Sequence, residues 1–161
     1  MLTSINISKK IKLFKNDLIK ECLEQRHVDE RGSNFYLKSK YTEKLYKYFI
    51  NYSKKYLKPF TIKDYNFKLW CYYSDKTFVQ THWHNHKKTS TINSVLYLQV
   101  PKNNRGIDFK LNNKVINYFP KNGDFIIFPS HLDHYPYPSL DEPRISLNLE
   151  LTCHENSKEI F

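Results

Sequence analysis

The feature that most constrains this chain is a change of hydrophobic period near residue 65. Before it, apolar residues recur at helical spacing; after it, they alternate. FKLWCYY (67–73), FVQTHWHNH (78–86), SVLYLQV (94–100), FKL and KVINYF on either side of Asn112-Asn113 (109–119), DFIIFPS (124–130) and RISLNLEL (144–151) all read as strands. No helical stretch separates them, so an alternating βαβ plan is excluded. The expectation is an antiparallel sandwich or barrel with helices packed against it. Asn112-Asn113 is a hairpin turn signal, and Gly123-Asp124 a tight turn leading straight into an apolar strand.

The first 60 residues read as helical. Ile11, Phe14, Leu18 and Cys22 form one stripe, with Ser8 as its N-cap. Tyr41, Leu45, Phe49, Tyr52 and Tyr56 form a second, which Pro59 ends. Such aromatic stripes pack against a sheet. The expected plan is one domain over 1–161, with a basic helical part over 1–60 and a β core over 65–153.

Composition narrows the class. A chain of 161 residues, 40% hydrophobic and 16% aromatic, can bury a core built largely from rings. No apolar run approaches the length of a membrane span, and MLTSINISKKIKLFKNDLIK lacks the apolar region of a signal peptide. Cys22, Cys71 and Cys153 are widely spaced with no CxxC pair. That argues against a disulfide framework or a thiolate zinc site and predicts a cytoplasmic protein. The net charge of +10 sits at the front: residues 1–60 carry 14 Lys/Arg against 6 Asp/Glu. Solvated helix faces explain it, and so does a surface for an anionic partner such as nucleic acid.

Chemistry concentrates in the histidines. THWHNH (81–86) places His82, His84 and His86 at alternate positions, hence on one face of an extended strand. Two imidazoles at i and i+2 can chelate one metal ion, and the third ligand must come from elsewhere in the fold. His134, after DFIIFPS, is the natural distal ligand. The alternative is an exposed histidine-rich edge. Ten residues beyond His134, Arg144, Ser146 and Asn148 share one face of RISLNLEL. Turned inward, that face suits a carboxylate, because an arginine fork and a hydroxyl buried without an anion are costly. Turned outward, it is simply solvated.

These segments together resemble the iron(II)- and 2-oxoglutarate-dependent oxygenase superfamily, and within it a small bacterial and phage-type branch. That branch reads H-x-H, a strand like SGVYYL ending in proline, G-D-x-x-x-F-P-S with a histidine eleven residues after the glycine, then R-x-S-x-x-N. Here stand His84-Asn85-His86, NSVLYLQVP (93–101), Gly123-Asp124-Phe125-Ile126-Ile127-Phe128-Pro129-Ser130, His134 and Arg144-Ile145-Ser146-Leu147-Asn148, the last one residue tighter. The resemblance spans residues 67–151. It implies a double-stranded β-helix flanked by two helices, and an oxygenase using Fe(II), 2-oxoglutarate and O2 on an unknown substrate: small molecule, protein side chain or nucleic acid. It further implies His84, His86 and His134 as metal ligands, with His82-Trp83-His84 as the competing register. Arg144 and Ser146 would hold the distal carboxylate of 2-oxoglutarate, with Tyr97 a looser contact. His86 departs from the superfamily, where most members carry Asp or Glu. Two other readings stand beside it. One is a cupin-like metal protein without 2-oxoglutarate chemistry, whose first motif lacks its glutamate here. The other is a basic nucleic-acid-binding module.

Overall fold

The computed structural model describes residues 2–26, 34–54, 65–76 and 82–153. Among the described residues nine strands and three helices run in the order β1 (Thr3–Asn6), α1 (Ser8–Ile11), α2 (Lys15–Arg26), β2 (Asn34–Tyr36), α3 (Thr42–Ser53), β3 (Tyr65–Ser74), β4 (Ile92–Gln99), β5 (Ile107–Leu111), β6 (Lys114–Tyr118), β7 (Asp124–Pro129), β8 (His134–Pro136) and β9 (Arg144–Cys153). They build a six-stranded sheet, β1-β7-β4-β9-β3-β2, and a three-stranded sheet, β6-β5-β8. Every pairing is antiparallel. The expected class, mainly β with N-terminal helices, is the one observed. Among the described residues no helix is long and apolar enough to cross a membrane.

Alternation on the central strands divides the interior into two cores. Phe125 and Ile127 of β7, with Ile145, Leu147, Leu149 and Leu151 of β9, face the helices. Ile126 and Phe128 turn the other way and pack with Val95, Tyr97 and Phe109 against the small sheet. Because both faces of β7 are covered, DFIIF is a continuous apolar run rather than an alternating one. Both predicted helical stripes lie in the first core. Ile11, Leu18, Cys22 and Phe49 are fully buried, and Phe49 meets Phe125 edge-on at 6.2 Å.

The N-terminal part differs from expectation in two ways. It is not wholly helical: β1 and β2 form the two edges of the large sheet, pairing with β7 and β3. Strands of four and three residues are too short to display an alternation. Ser8 is also not the N-cap. The helix starts at Ser8, and Asn6 Oδ1 accepts both its backbone N–H (3.1 Å) and its hydroxyl (2.6 Å). Tyr56 and Pro59 fall outside the described residues.

The turns follow their residue types. Asn112 (φ 50°) and Asn113 (φ 61°) take the paired left-handed conformations of a two-residue hairpin between β5 and β6. Gly123 has φ +83°, and a Cβ there would come within 2.7 Å of Ser8 Cα. This contact seats the start of α1 against the turn that launches β7.

Truncating Phe49 to alanine removes the ring that joins α3 to β7. Urea unfolding should show a loss of about 3–5 kcal/mol, while Leu13→Ala, at a side chain 93% exposed, changes stability by less than about 0.5 kcal/mol.

Candidate metal centre and anion cavity

The histidine segment is not a regular strand. Residues 78–81 lie outside the described part, and over 82–86 the backbone makes a single bridge, His84 to His134. That bridge is reciprocal: His84 N–H donates to the His134 carbonyl (3.1 Å), and His134 N–H returns to that of His84 (2.9 Å). His86 N–H is tied to the Ser130 carbonyl at 2.8 Å. Directly opposed residues of an antiparallel pair project to the same face. Backbone pairing alone therefore sets the His84 and His134 rings side by side, their centroids 4.2 Å apart. Trp83 takes the opposite face, near Tyr135 and under the Lys110 ammonium.

His86 completes a cluster: the candidate ligand atoms of His84, His86 and His134 all lie within 4.8 Å of one another. His82 is exposed and does not join this group, so the geometry gathers the 84/86 register rather than 82/84. Asp133 turns away, accepting a hydrogen bond from Asn85 Nδ2 at 2.7 Å.

The protonation of the rings follows from their partners. His134 Nδ1 lies 3.0 Å from the Leu132 carbonyl, which can only accept, so Nδ1 carries the proton and Nε2 keeps its lone pair. His86 Nδ1 sits 3.0 Å from a carboxylate oxygen of Glu150, which likewise can only accept, so Nδ1 carries a proton there. Burial, with His86 adding to it, pushes His84 down to about 4. Burial and then His84 push His134 down to about 3. Both rings are therefore neutral near pH 7, as metal ligation requires.

The cluster opens on a cavity of ≈ 190 Å³ walled by alternate residues of β9: Arg144, Ser146, Asn148 and Glu150. Ser146 stands between Tyr97 of β4 and Tyr72 of β3, its direct cross-strand neighbours. Burial raises the Tyr97 hydroxyl and pushes Tyr72 up to about 12, so both stay protonated donors. Arg144 is only 2% exposed. Its Nη1 makes two long contacts, to Asn104 Oδ1 (3.3 Å) and the Gly106 carbonyl (3.4 Å), and its Nε has no partner. Among the described residues no carboxylate pairs with it. A guanidinium buried this way is poorly compensated. Asn93 Nδ2 is a second buried donor on the cavity wall without a partner.

The sequence reading named Arg144, Ser146 and Tyr97, and the structure places all three on this wall. It missed Glu150, Tyr72 and Asn93. A signal existed for Glu150, because the period-two face that carries 144, 146 and 148 continues to it. Nothing distinguished Tyr72 among thirteen tyrosines.

No family model and no curated protein matches this sequence. Solved structures do match. A Pseudomonas putida prolyl-4-hydroxylase superposes with TM-score 0.75 at 12% identity, over 95% of this chain and 92% of its own. A viral collagen prolyl hydroxylase from Paramecium bursaria Chlorella virus-1 gives 0.64 at 15% identity, over 96% and 90%. The non-heme α-ketoglutarate dependent epimerase of nogalamycin biosynthesis gives 0.63 at 12%, over 94% and 77%. At these identities the likeness is one of fold: this chain has the double-stranded β-helix architecture of the 2-oxoglutarate- and iron(II)-dependent oxygenases, with a three-histidine candidate metal site.

Proposed function

We propose that the protein is an iron(II)- and 2-oxoglutarate-dependent oxygenase. The observation that carries this reading is the sharing of one cavity by three clustered imidazoles and a buried arginine that no carboxylate of the described residues pairs with. The donor set fits the metal, since imidazole suits iron(II) and three protein ligands leave coordination positions open. His84, His86 and His134 would hold it. Arg144, with its Nε unsatisfied, fits the distal carboxylate of 2-oxoglutarate, with the Ser146 hydroxyl beside it and Tyr97 as a further neutral donor.

Bound iron would supply dioxygen activation coupled to the oxidative decarboxylation of 2-oxoglutarate to succinate and CO2. The protein's own part is positional. Reciprocal backbone bonds fix His84 against His134, and the Leu132 carbonyl fixes the tautomer of His134. Val95, Ile107 and Phe128 supply apolar wall between the polar groups and limit water around them. Arg144, buried on β9, would hold one carboxylate of the cosubstrate in the cavity that the imidazoles share. The all-imidazole donor set also favours a second reading, a metal-dependent protein that makes no use of 2-oxoglutarate.

One experiment separates the two. Purified protein with iron(II), ascorbate and 2-oxoglutarate should release succinate, and calorimetry should show 2-oxoglutarate binding only in the metal-loaded protein. Metal binding without 2-oxoglutarate binding at millimolar concentration selects the second reading. His134→Ala should abolish metal binding, whereas His82→Ala leaves it unchanged.

Arg144→Met gives a result of opposite sign in two assays. The apolar replacement should weaken 2-oxoglutarate binding by at least about 100-fold. In ligand-free protein it should leave stability unchanged or raise it by about 1 kcal/mol or more, because an uncompensated buried cation is removed.

A further inference from the structure

We propose that Glu150 is the carboxylate of this metal centre, acting through His86 rather than on the metal directly. The inference rests on the three-histidine reading of the centre and concerns a residue outside it. Glu150 is 6% exposed, and its Oε1 lies 3.0 Å from His86 Nδ1. Among the described residues its oxygens do not belong to the group of mutually close ligand atoms, so Glu150 touches a member of that group without being one.

The three rings are not supported alike. His134 gives its Nδ1 proton to a neutral backbone carbonyl. His86 has a carboxylate behind it, and it occupies the position where most members of the resembled superfamily carry Asp or Glu. A carboxylate at Nδ1–H fixes the ring, selects the Nε2 lone pair for ligation and raises its basicity. It also returns to the centre the unit of negative charge that a histidine in place of Asp or Glu removes.

Glu150 needs such a partner. Its cross-strand neighbours are Asn93 on β4 and Lys68 on β3. No ammonium or guanidinium of the described residues lies within ion-pair distance of it. Arg144, the other buried charge on this face, is six residues away, about 20 Å along the strand. Among the described residues the one side chain bonded to this buried carboxylate is the His86 imidazole. A divalent cation on the far nitrogen of that imidazole compensates it.

The test is metal affinity, measured by anaerobic calorimetry with iron(II) and by titration with cobalt(II), whose visible absorption reports its ligand field. Glu150→Gln keeps the shape and removes the charge. It should lower affinity for both metals by about 10–100-fold and shift the cobalt absorption. The metal-free variant should be as stable as the parent or more so in urea unfolding. A merely structural Glu150 predicts the reverse: lower stability without metal and unchanged metal affinity. The double variant H86D/E150Q moves the carboxylate into direct contact with the metal and should recover most of the lost affinity. Affinity of Glu150→Gln within about twofold of the parent, where typical losses are tenfold or more, overturns the proposal. If His134→Ala still abolishes binding in that case, the metal centre stands and only Glu150's role falls. A parent protein that binds neither metal overturns both.

Discussion

The alternation of β9 is the constraint on which the rest of this molecule depends. The strand runs ten residues between β3 and β4, paired on both sides. Its odd positions, Ile145 to Leu151, are wholly buried against the helices. Burial of each such side chain contributes roughly 1.5–3 kcal/mol. That apolar set fixes the register, because a slip of one residue would drive four aliphatic side chains into the cavity and four polar ones into the core. The polar face inherits its placement from the apolar one. Arg144, Ser146, Asn148 and Glu150 are held in a row not by their own contacts but by the leucines behind them.

The metal cluster is assembled in a different way. His84 and His86 come from an irregular segment with little ladder of its own, and His134 from a three-residue strand at the edge of the small sheet. What aligns them is a reciprocal backbone pair, His84 with His134, and one further bond from His86 to Ser130. The Pro129-Ser130 turn is in turn bonded back to Thr91 at the start of β4. Two regions about fifty residues apart in sequence are joined by peptide groups, so the alignment of the rings does not depend on bonds between the imidazoles themselves. A regular strand would align all three histidines of THWHNH on one face. The irregular backbone instead leaves His82 exposed and uncommitted.

Much of this was legible in the sequence, and the failures have physical causes. The period change at residue 65 marked the long strands, and both helical stripes entered the core as expected. Asn112-Asn113 was readable because two left-handed residues in succession tolerate few side chains. The edge strands β1 and β2 were not readable, since three or four residues establish no period and edge positions need not be apolar. Arg144 and Ser146 declared themselves by sharing a face with Asn148. Glu150 lay one step further along the same face and was legible in principle. Its significance depended on facing His86, a tertiary fact that no spacing encodes. The lysine-rich helices were ambiguous in sequence, and several of their ammonium groups have local partners: Lys10 with Tyr52, Lys40 with Asp17 and Lys44 over Phe14.

The electrostatics of the cavity now favour one kind of occupant. A buried cation stands at one end of β9 and a buried anion at the other. At about 20 Å and an effective dielectric near 20, their mutual attraction is only about 1 kcal/mol. The effective cost of burying each ion is several kcal/mol. The two charges therefore do little to compensate each other. At the Glu150 end the three clustered imidazoles suit a divalent metal. At the Arg144 end a guanidinium beside a hydroxyl suits a carboxylate. Under the function proposed above, a metal and a dicarboxylate would meet both demands. The fold that the hydrophobic pattern of β9 specifies thus carries, on its opposite face, a charge pattern suited to that pair of ligands.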